Sequence, residues 1–550
     1  MADKSNKNNI IIQSGILAAA GFISRIIGLL YRKPLTAVIG AEGNGYYQVA
    51  YNVYTMVLLI SSYSIPSAIS KVIAQKLAVK EYRNAHRIYI CSIWYVLAVG
   101  GVASLFLLFG AGFLVEGASV QVLRVFAPTI VFSGLLGVMR GYFQAHRSMI
   151  QTSVSQILEQ IVNAAVSIGA AVLIINACLG TLDWSDDTLL RSQRSMYGAI
   201  GSALGTGAGV LVALLFMCWI YLLNKKLIHR RISRDQSRYV ESYRDITRTI
   251  LSVVTPFILS TAVYNLNAFV DQSIYIKLLH YFQGIDVETL HYNYGILSEA
   301  TTVSNIPIAF ASAMAAAMIP AITQLSAVGD MDTAGKRTAL ATKTTMIISI
   351  PCAVGLFALA RPVIGLLYPQ EDTIKAASYL LMALSLSIVF YALSTLSNSV
   401  LQGIGKVNVP IRNAAVALVV QAAVLVVLLL FTDLGLFTLP IASTVHSGLM
   451  CLLNQLSIRK AMGYRQEIAK TFIIPLLTSV IMGAAAYFIY KGLHLLTGSN
   501  LISVIPAVIV AVGIYFVLLV LLKGVTEEEL RSFPKGHLLI RAAKKCRLLK

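Results

Sequence analysis

Charged residues are scarce in this chain. They are 12% of its 550 positions, about half the quarter expected of a soluble protein. That shortage, with 57% hydrophobic residues and a mean hydropathy of +0.75, leaves no room for a large soluble domain. No G-x-x-x-x-G-K-[ST] loop occurs, so the chain carries no nucleotide motor of its own. The six cysteines (Cys91, Cys178, Cys218, Cys352, Cys451, Cys546) are scattered without any C-x-x-C. Neither a disulfide framework nor a zinc site is indicated. The eight histidines show no ligand spacing, and nothing reads as a catalytic site, a metal site or a cofactor site. The longest loops run to about 25 residues, too short for the extramembrane active site of a glycosyltransferase or ligase.

What is present is a series of long apolar runs. We read fourteen, near 10–30, 46–68, 88–110, 119–142, 152–178, 197–223, 249–271, 293–322, 338–360, 376–400, 411–431, 437–457, 471–490 and 501–522. A helix needs about 20 residues to span a bilayer at 1.5 Å per residue. Barrel strands would be about ten residues long and alternating. The expected fold is therefore all-α, a polytopic membrane protein of about 14 transmembrane helices. The first run is long for a signal-peptide core and is read as an uncleaved helix.

The net charge of +20 does not point to nucleic acid, because the basic residues sit in short loops between the runs. With the N-terminus placed in the cytoplasm, the inside stretches carry 34 Lys and Arg against 9 outside. That asymmetry predicts cytoplasmic N- and C-termini. Two basic stretches, Lys225 to Arg248 and the tail from Lys523, are expected to meet anionic membrane lipids.

The chain reads as a degenerate duplication. Pro66 and Pro320 end similar I-P-x-x-I-[ST] and I-P-A-I-T motifs 254 residues apart, and Gln144 and Gln402 lie 258 apart. The expected organisation is a first lobe over 1–223, a basic linker over 224–248, a second lobe over 249–458, two further helices over 459–522 and a basic tail over 523–550. Two such lobes around a central cavity are a transporter plan. Gly201, Gly205, Gly207 and Gly209 lie in the sixth run and read as small-residue helix packing.

Ionisable groups inside the runs are the candidate functional residues. Arg25 lies within the first, roughly 22 Å from the cytoplasmic side. A guanidinium keeps its charge there, at a translocon-scale cost of about 2.5–3.5 kcal/mol. Glu299, in the eighth run, falls at a similar depth. Glu159, Gln156, Gln160 and Asn163 share one polar stripe at 100° per residue. Asp271, with Asn267 one turn away, is a candidate coupling-cation site by position. Prolines 66, 256, 307, 320 and 351 permit bending. These groups serve either as pairs that hold the lobes together or as a polar cavity for an anionic headgroup.

The motifs S-R-I-I-G from Ser24, G-Y-Y-Q from Gly45, I-P-S-A-I-S-K from Ile65, R-G-Y-F-Q-A-H-R-S-M-I-Q-T-S-V-S-Q-I-L-E-Q over Arg140 to Gln160, and S-F-P-K-G from Ser532 resemble the polysaccharide-biosynthesis branch of the MATE-like (MOP) flippase superfamily. Within that branch the sequence resembles stage V sporulation protein B-like proteins and MurJ-like lipid II flippases of Gram-positive type. The resemblance implies two six-helix lobes plus two C-terminal helices, working by alternating access. It implies export of an undecaprenyl-pyrophosphate-linked oligosaccharide or cell-wall precursor across the cell membrane. Such export needs a driving force from membrane potential or from Na+ or H+ coupling, and a monomer is expected. The resemblance assigns the pyrophosphate to Arg25 and, next to the position of a second family arginine taken here by Tyr31, to Arg32. The sequence departs from the family in having no arginine late in the second run before Lys71, and in having Gln151 where proline is usual. Two other readings compete: a multidrug/cation antiporter on the same fold, which a deep arginine disfavours, and a non-transporting scaffold for cell-wall assembly.

Overall fold

The computed structural model describes residues 20, 21, 23–63, 65–146, 148–180, 188–233, 235, 240–368, 370–463, 466–525 and 541. The side chains of 62, 63, 65–68, 188, 231, 253–265, 316, 317, 320 and 321 are not described. The start of the first expected span, the S-F-P-K-G motif and most of the basic tail fall outside the described residues, as do the side chains of Pro66, Pro256 and Pro320.

Every regular element among the described residues is helical. After a helical stretch over 23–30, the first half holds α1 (Arg32–Leu58), α2 (Ile65–Ala78), α3 (Tyr82–Leu114), α4 (Ser119–Ala145), α5 (Ile150–Leu179), α6 (Thr188–Ile232) and α7 (Tyr243–Gln283). Then come α8 (Val287–Ala327), α9 (Met331–Ala358), α10 (Ala360–Leu367), α11 (Glu371–Gly403), α12 (Asn408–Phe431), α13 (Thr438–Met462), α14 (Ile474–Thr497) and α15 (Asn500–Leu521). Among the described residues ten helices are long and apolar enough to cross a membrane. Of the other four expected spans, 10–30 and 46–68 include residues outside the described set, and 249–271 and 293–322 include residues whose side chains are not described. Fourteen is the count from sequence; ten is the count supported by described helix length and composition. At 41 residues each, α7 and α8 run about 60 Å, twice the hydrocarbon thickness, so they project beyond it.

Two element boundaries differ from the expectation. The stretch 31–45, expected as an outer loop, is helical from Arg32, with a break at Gly40 (φ 75°, ψ 174°). A side chain at that φ would be strained, so glycine lets the chain bend between two helical pieces. The expected span 46–68 is interrupted by a π turn, Leu59–Tyr63, just before Pro66. Proline has no N–H to offer the preceding turn, and a wider turn accommodates the break.

The chain divides into two compact units, Met1–Gly295 and Ile296–Lys550. The boundary lies within α8, and in the first unit Ile246 and Ile250 of α7 join a core with Ile73, Tyr89, Tyr142 and Met217. α5 and α6 approach closely in this unit. A Cβ on Gly201, Gly205 or Gly209 would stand 2.3 Å from Ala171 N, 2.1 Å from Ser167 Oγ and 2.5 Å from Glu159 O, respectively. Glycine every fourth residue puts one bare stripe on α6, and α5 lies in it.

The linker is strapped to the turn between α2 and α3. Lys76 bridges Glu81 and Glu241. Asn84 donates to Glu81 and accepts from the Glu241 backbone N–H, the Arg83 N–H donates to Asp235, and Arg87 lies 4.1 Å from the Tyr243 ring centroid. Hydrogen bonds from Asn84 and Lys76 hold the Glu81 carboxyl below the ordinary glutamate value. Burial opposes the Lys76 charge, but Glu241 and Glu81 outweigh it and keep the ammonium above its ordinary value.

In the second unit, α14 and α15 attach to α9. Met482, Ala486, Ala511 and Tyr515 pack on Ile347 and Leu359, and the Tyr515 hydroxyl donates to the Ile347 carbonyl at 2.7 Å. Outward faces are apolar, as with Phe109 and Phe113 on α3 and Ile502 and Ile509 on α15.

Candidate functional site

Arg32 opens α1 on a floor of aromatic rings. Its guanidinium carbon is 5.9 Å from the Tyr31 centroid and 5.8 Å from that of Tyr47, within cation–π range. Nη1 donates to Asn44 Oδ1 at 3.3 Å, and Asn44 in turn donates to the Gly295 carbonyl at 3.3 Å. One turn apart along α1, Tyr47, Tyr51 and Tyr54 continue the floor. Tyr47 stacks on Tyr51 at 5.6 Å and Tyr54 on Phe126 at 4.7 Å.

The α5 stripe is partly spoken for. Glu159 Oε2 accepts from Arg140 Nη2 of α4 at 2.7 Å, and Arg140 Nε donates to Ser155 at 2.9 Å. Arg140 belongs to the most family-like block of the sequence, yet its pairing with Glu159 was not anticipated; the nineteen-residue separation across the α4–α5 turn was the available signal. Asn163 accepts from Ser167 at 2.9 Å. The Gln156 carbonyl oxygen is buried without a hydrogen bond among the described residues. The second unit has a neutral counterpart. Asn454 of α13 donates to Asn398 of α11 at 2.6 Å, and Asn413 of α12 donates to Asn454 at 2.9 Å. Arg140 and Asn398 are 258 residues apart, as are Ser155 and Asn413.

The remaining candidates are placed separately. Arg25 lies in the stretch 23–30 with an exposed side chain. A Cβ on nearby Gly28 would be 3.7 Å from Gln160 Oε1, so this stretch runs beside the α5 stripe. Glu299 is wholly buried in the second unit; Oε2 accepts a 3.4 Å hydrogen bond from Thr373, and Oε1 has no partner among the described residues. Asp271 is 6% exposed, next to Gln272. Gln272 accepts from Asn52 at 2.8 Å and donates to the Val49 carbonyl at 3.1 Å. Asn52 also donates to Tyr294 at 3.0 Å. Asn267 sits one turn before Asp271 on α7, half-buried.

These bonds join α1, α7 and the start of α8, and glycine permits the approach. A Cβ on Gly45 would lie 1.9 Å from the His291 carbonyl, and one on Gly295 would lie 2.1 Å from the Ala41 carbonyl. The sequence marks Gly45 only as part of G-Y-Y-Q; its closeness to His291, 246 residues on, is a tertiary fact.

The family described as "Polysaccharide biosynthesis protein" matches residues 12–326. The chain belongs to that family. The MatE family matches residues 295–427. The chain is 24% identical to Stage V sporulation protein B of Bacillus subtilis (strain 168), over 96% of this chain and 98% of that one. It is also 24% identical to Lipid II flippase MurJ of the same organism, over 86% of each. Among solved structures it resembles an inward-facing multidrug resistance MATE family transporter (TM-score 0.65, 16% identity, 80% of this chain and 94% of that one). It also resembles Lipid II flippase MurJ in an inward closed conformation (TM-score 0.62, 17% identity, 91% and 97%). The all-helical fold is that of the MATE and MurJ proteins, and this family member is a multi-pass membrane protein.

Proposed function

We propose that the protein is a flippase that carries an undecaprenyl-pyrophosphate-linked cell-wall or polysaccharide precursor, lipid II foremost, from the inner to the outer leaflet by alternating access. The observation that carries this reading is a cation set in an apolar bundle. Arg32 rests on Tyr31 and Tyr47 and donates to a neutral amide, while the Glu159 carboxylate of α5 is already neutralised by Arg140. Such a site favours an anionic headgroup over a cationic drug. Guanidinium presents a forked donor array to phosphate oxygens, and tyrosine faces suit a sugar ring. Arg25, exposed beside the stripe, is the second cation for the pyrophosphate.

In this reading both termini are cytoplasmic, the protein works as a monomer in the plasma membrane, and the isoprenoid tail stays in lipid. The bonds among Asn52, Gln272 and Tyr294 then tie α1, α7 and the start of α8 together within the first unit. Asp271, beside those bonds, is the candidate for Na+ or H+ coupling. The protein acts as a transporter and not as an enzyme.

The test is depletion in a strain without a second flippase, followed by labelling of outward-facing lipid-linked precursor. Accumulation on the inner leaflet is expected. Replacing Arg32 by Ala should abolish complementation at normal membrane abundance. If every precursor still reaches the outer leaflet, or Arg32→Ala complements fully, the reading fails. The latter result, with surface-loop variants inactive, would favour the scaffold. Export of cationic dyes that requires Glu159 would favour the antiporter.

A further inference from the structure

His291 stands near the start of α8, at the end of the first unit where α1 meets α7 and α8. Asp286, Glu288 and Thr289 just before it are exposed, and His291 itself is wholly buried. Glycine makes that burial possible. The bare Gly45 backbone of α1 seats the His291 carbonyl, where a Cβ would stand 1.9 Å away. Gly117, at φ 61° in the turn between α3 and α4, lies against the ring. A Cβ there would be 3.7 Å from Cε1 and 3.9 Å from Nδ1. The Tyr46 ring meets His291 edge to face, with centroids 5.3 Å apart and planes at 82°. Neither Nδ1 nor Nε2 has a hydrogen bond among the described residues.

A neutral imidazole has one N–H and one bare lone pair, and here both are buried unmet. Buried polar groups ordinarily have partners, and one without them calls for a reason. The carboxylates around the ring are engaged elsewhere. Asp286, whose charge acts on His291, accepts from the Glu288 and Thr289 N–H groups at 3.0 and 3.3 Å. Glu42 of α1 accepts from the hydroxyls of Tyr46 at 2.6 Å and Ser195 at 3.3 Å. Glu288 accepts from Ser192 of α6 at 3.2 Å. Glu116, next to Gly117, accepts from Tyr281 of α7 at 3.3 Å. An imidazolium carries two N–H donors. In the packed arrangement it has an acceptor for neither, and a buried charge without hydrogen bonds is costly. The neutral ring therefore belongs to the packed state. Separating α1 from α8 uncovers the ring, and its bare nitrogen can then take a proton from water.

We propose that His291 is a proton-binding site and that uptake of its proton is linked to the parting of α1 from α8. The proton adds to the bare lone pair of the ring, from hydronium, leaving water. It returns to water when the helices repack, and no covalent bond of the chain is broken. The packed form takes the neutral ring, so it is favoured above the ordinary histidine value of about 6.5 and loses ground below it. Acid thus parts the two helices. The linkage holds whatever the protein carries. Only the side from which the proton comes rests on the proposed orientation, in which this end faces outward.

The experiment uses the full chain in lipid nanodiscs, which present one pH to both faces, and reads hydroxyl-radical footprinting by peptide mass spectrometry. Tyr46, 0% exposed, reports the parting, and Tyr281, 71% exposed, is the internal reference. Tyr46 oxidation relative to Tyr281 should rise about tenfold between pH 7.5 and 5.5, from one proton taken up at about 6.5 in the parted form. His291→Phe keeps a ring and loses no hydrogen bond. It should melt no lower than the wild type at pH 7.5 and should abolish the rise. His291→Gln, which does not titrate, is the second variant and should also be flat. Glu42→Gln should leave the rise in place. A flat wild type, a rise that survives either histidine variant, or one that Glu42→Gln removes overturns the proposal. Should both histidine variants unfold, the wild-type onset decides: below about 6.5 supports histidine, and only below about 4.3 assigns the change to a carboxylate and overturns it. Failure here leaves the flippase reading standing, since no step of it uses His291.

Discussion

The Arg140–Glu159 pair shows what a single charge must do inside an apolar bundle. Both side chains are about one-fifth exposed, so each relies on the other more than on water. Glu159→Gln removes the countercharge from Arg140 and is expected to destabilise the lobe by about 1–3 kcal/mol. A thermal melt in detergent should register this as a lower transition. The exchange Arg140→Glu with Glu159→Arg should recover part of it, since the bond is remade in reverse; no recovery would assign the loss to packing. At Arg32 the prediction is different. Arg32→Lys keeps the charge but loses the fork that reaches phosphate oxygens, so precursor transport should fall by at least tenfold at unchanged abundance and melting temperature. The sequence made Arg25 and Glu159 conspicuous because charges stand out in apolar runs. It could not reveal that Arg140 neutralises Glu159, because that requires the α4–α5 turn to bring them face to face, nor that Glu299 is buried against Thr373.

Helices are legible where period and length suffice, and less so where backbone contact decides. The runs from 88 to 223 correspond to α3 through α6, and the glycines of the sixth run do form a packing stripe. Replacing Gly205 by Val would drive a branched side chain into the α5 backbone, where overpacking costs about 1–3 kcal/mol; membrane abundance on a blot should drop severalfold. Gly45 makes a subtler test. Gly45→Ala sets a methyl against the His291 carbonyl and must push α8 from α1. Cysteine labelling from the outer side should then rise at this end, and transport should fall. The helical start at Arg32 and the π turn before Pro66 were illegible, because apolar periodicity does not report a change of hydrogen-bond register.

At the scale of the molecule, the linker strap makes a prediction about pH. Glu81 titrates below its ordinary value, so its contribution is present above the usual glutamate pKa near 4.3 and is lost as pH falls through the lowered one. Lys76 titrates above its ordinary value, so its contribution is present below the usual lysine pKa near 10.4 and is lost as pH rises through the raised one. Limited proteolysis of the linker should be slowest between about pH 5 and 10 and faster outside that window; Lys76→Ala should remove the alkaline limb and leave part of the acidic one, which Asn84 maintains through Glu81. Membrane class was readable from composition. The attachment of α7 to the first unit was not, since it rests on Ile246 and Ile250 finding partners up to 177 residues away in sequence.

Arg140 and Asn398 lie 258 residues apart in the sequence, as do Ser155 and Asn413. At that spacing the first unit holds a cation–carboxylate pair and the second holds three amides. A membrane voltage acts on fixed charge, so it pulls on the first set of side chains and leaves the second almost untouched.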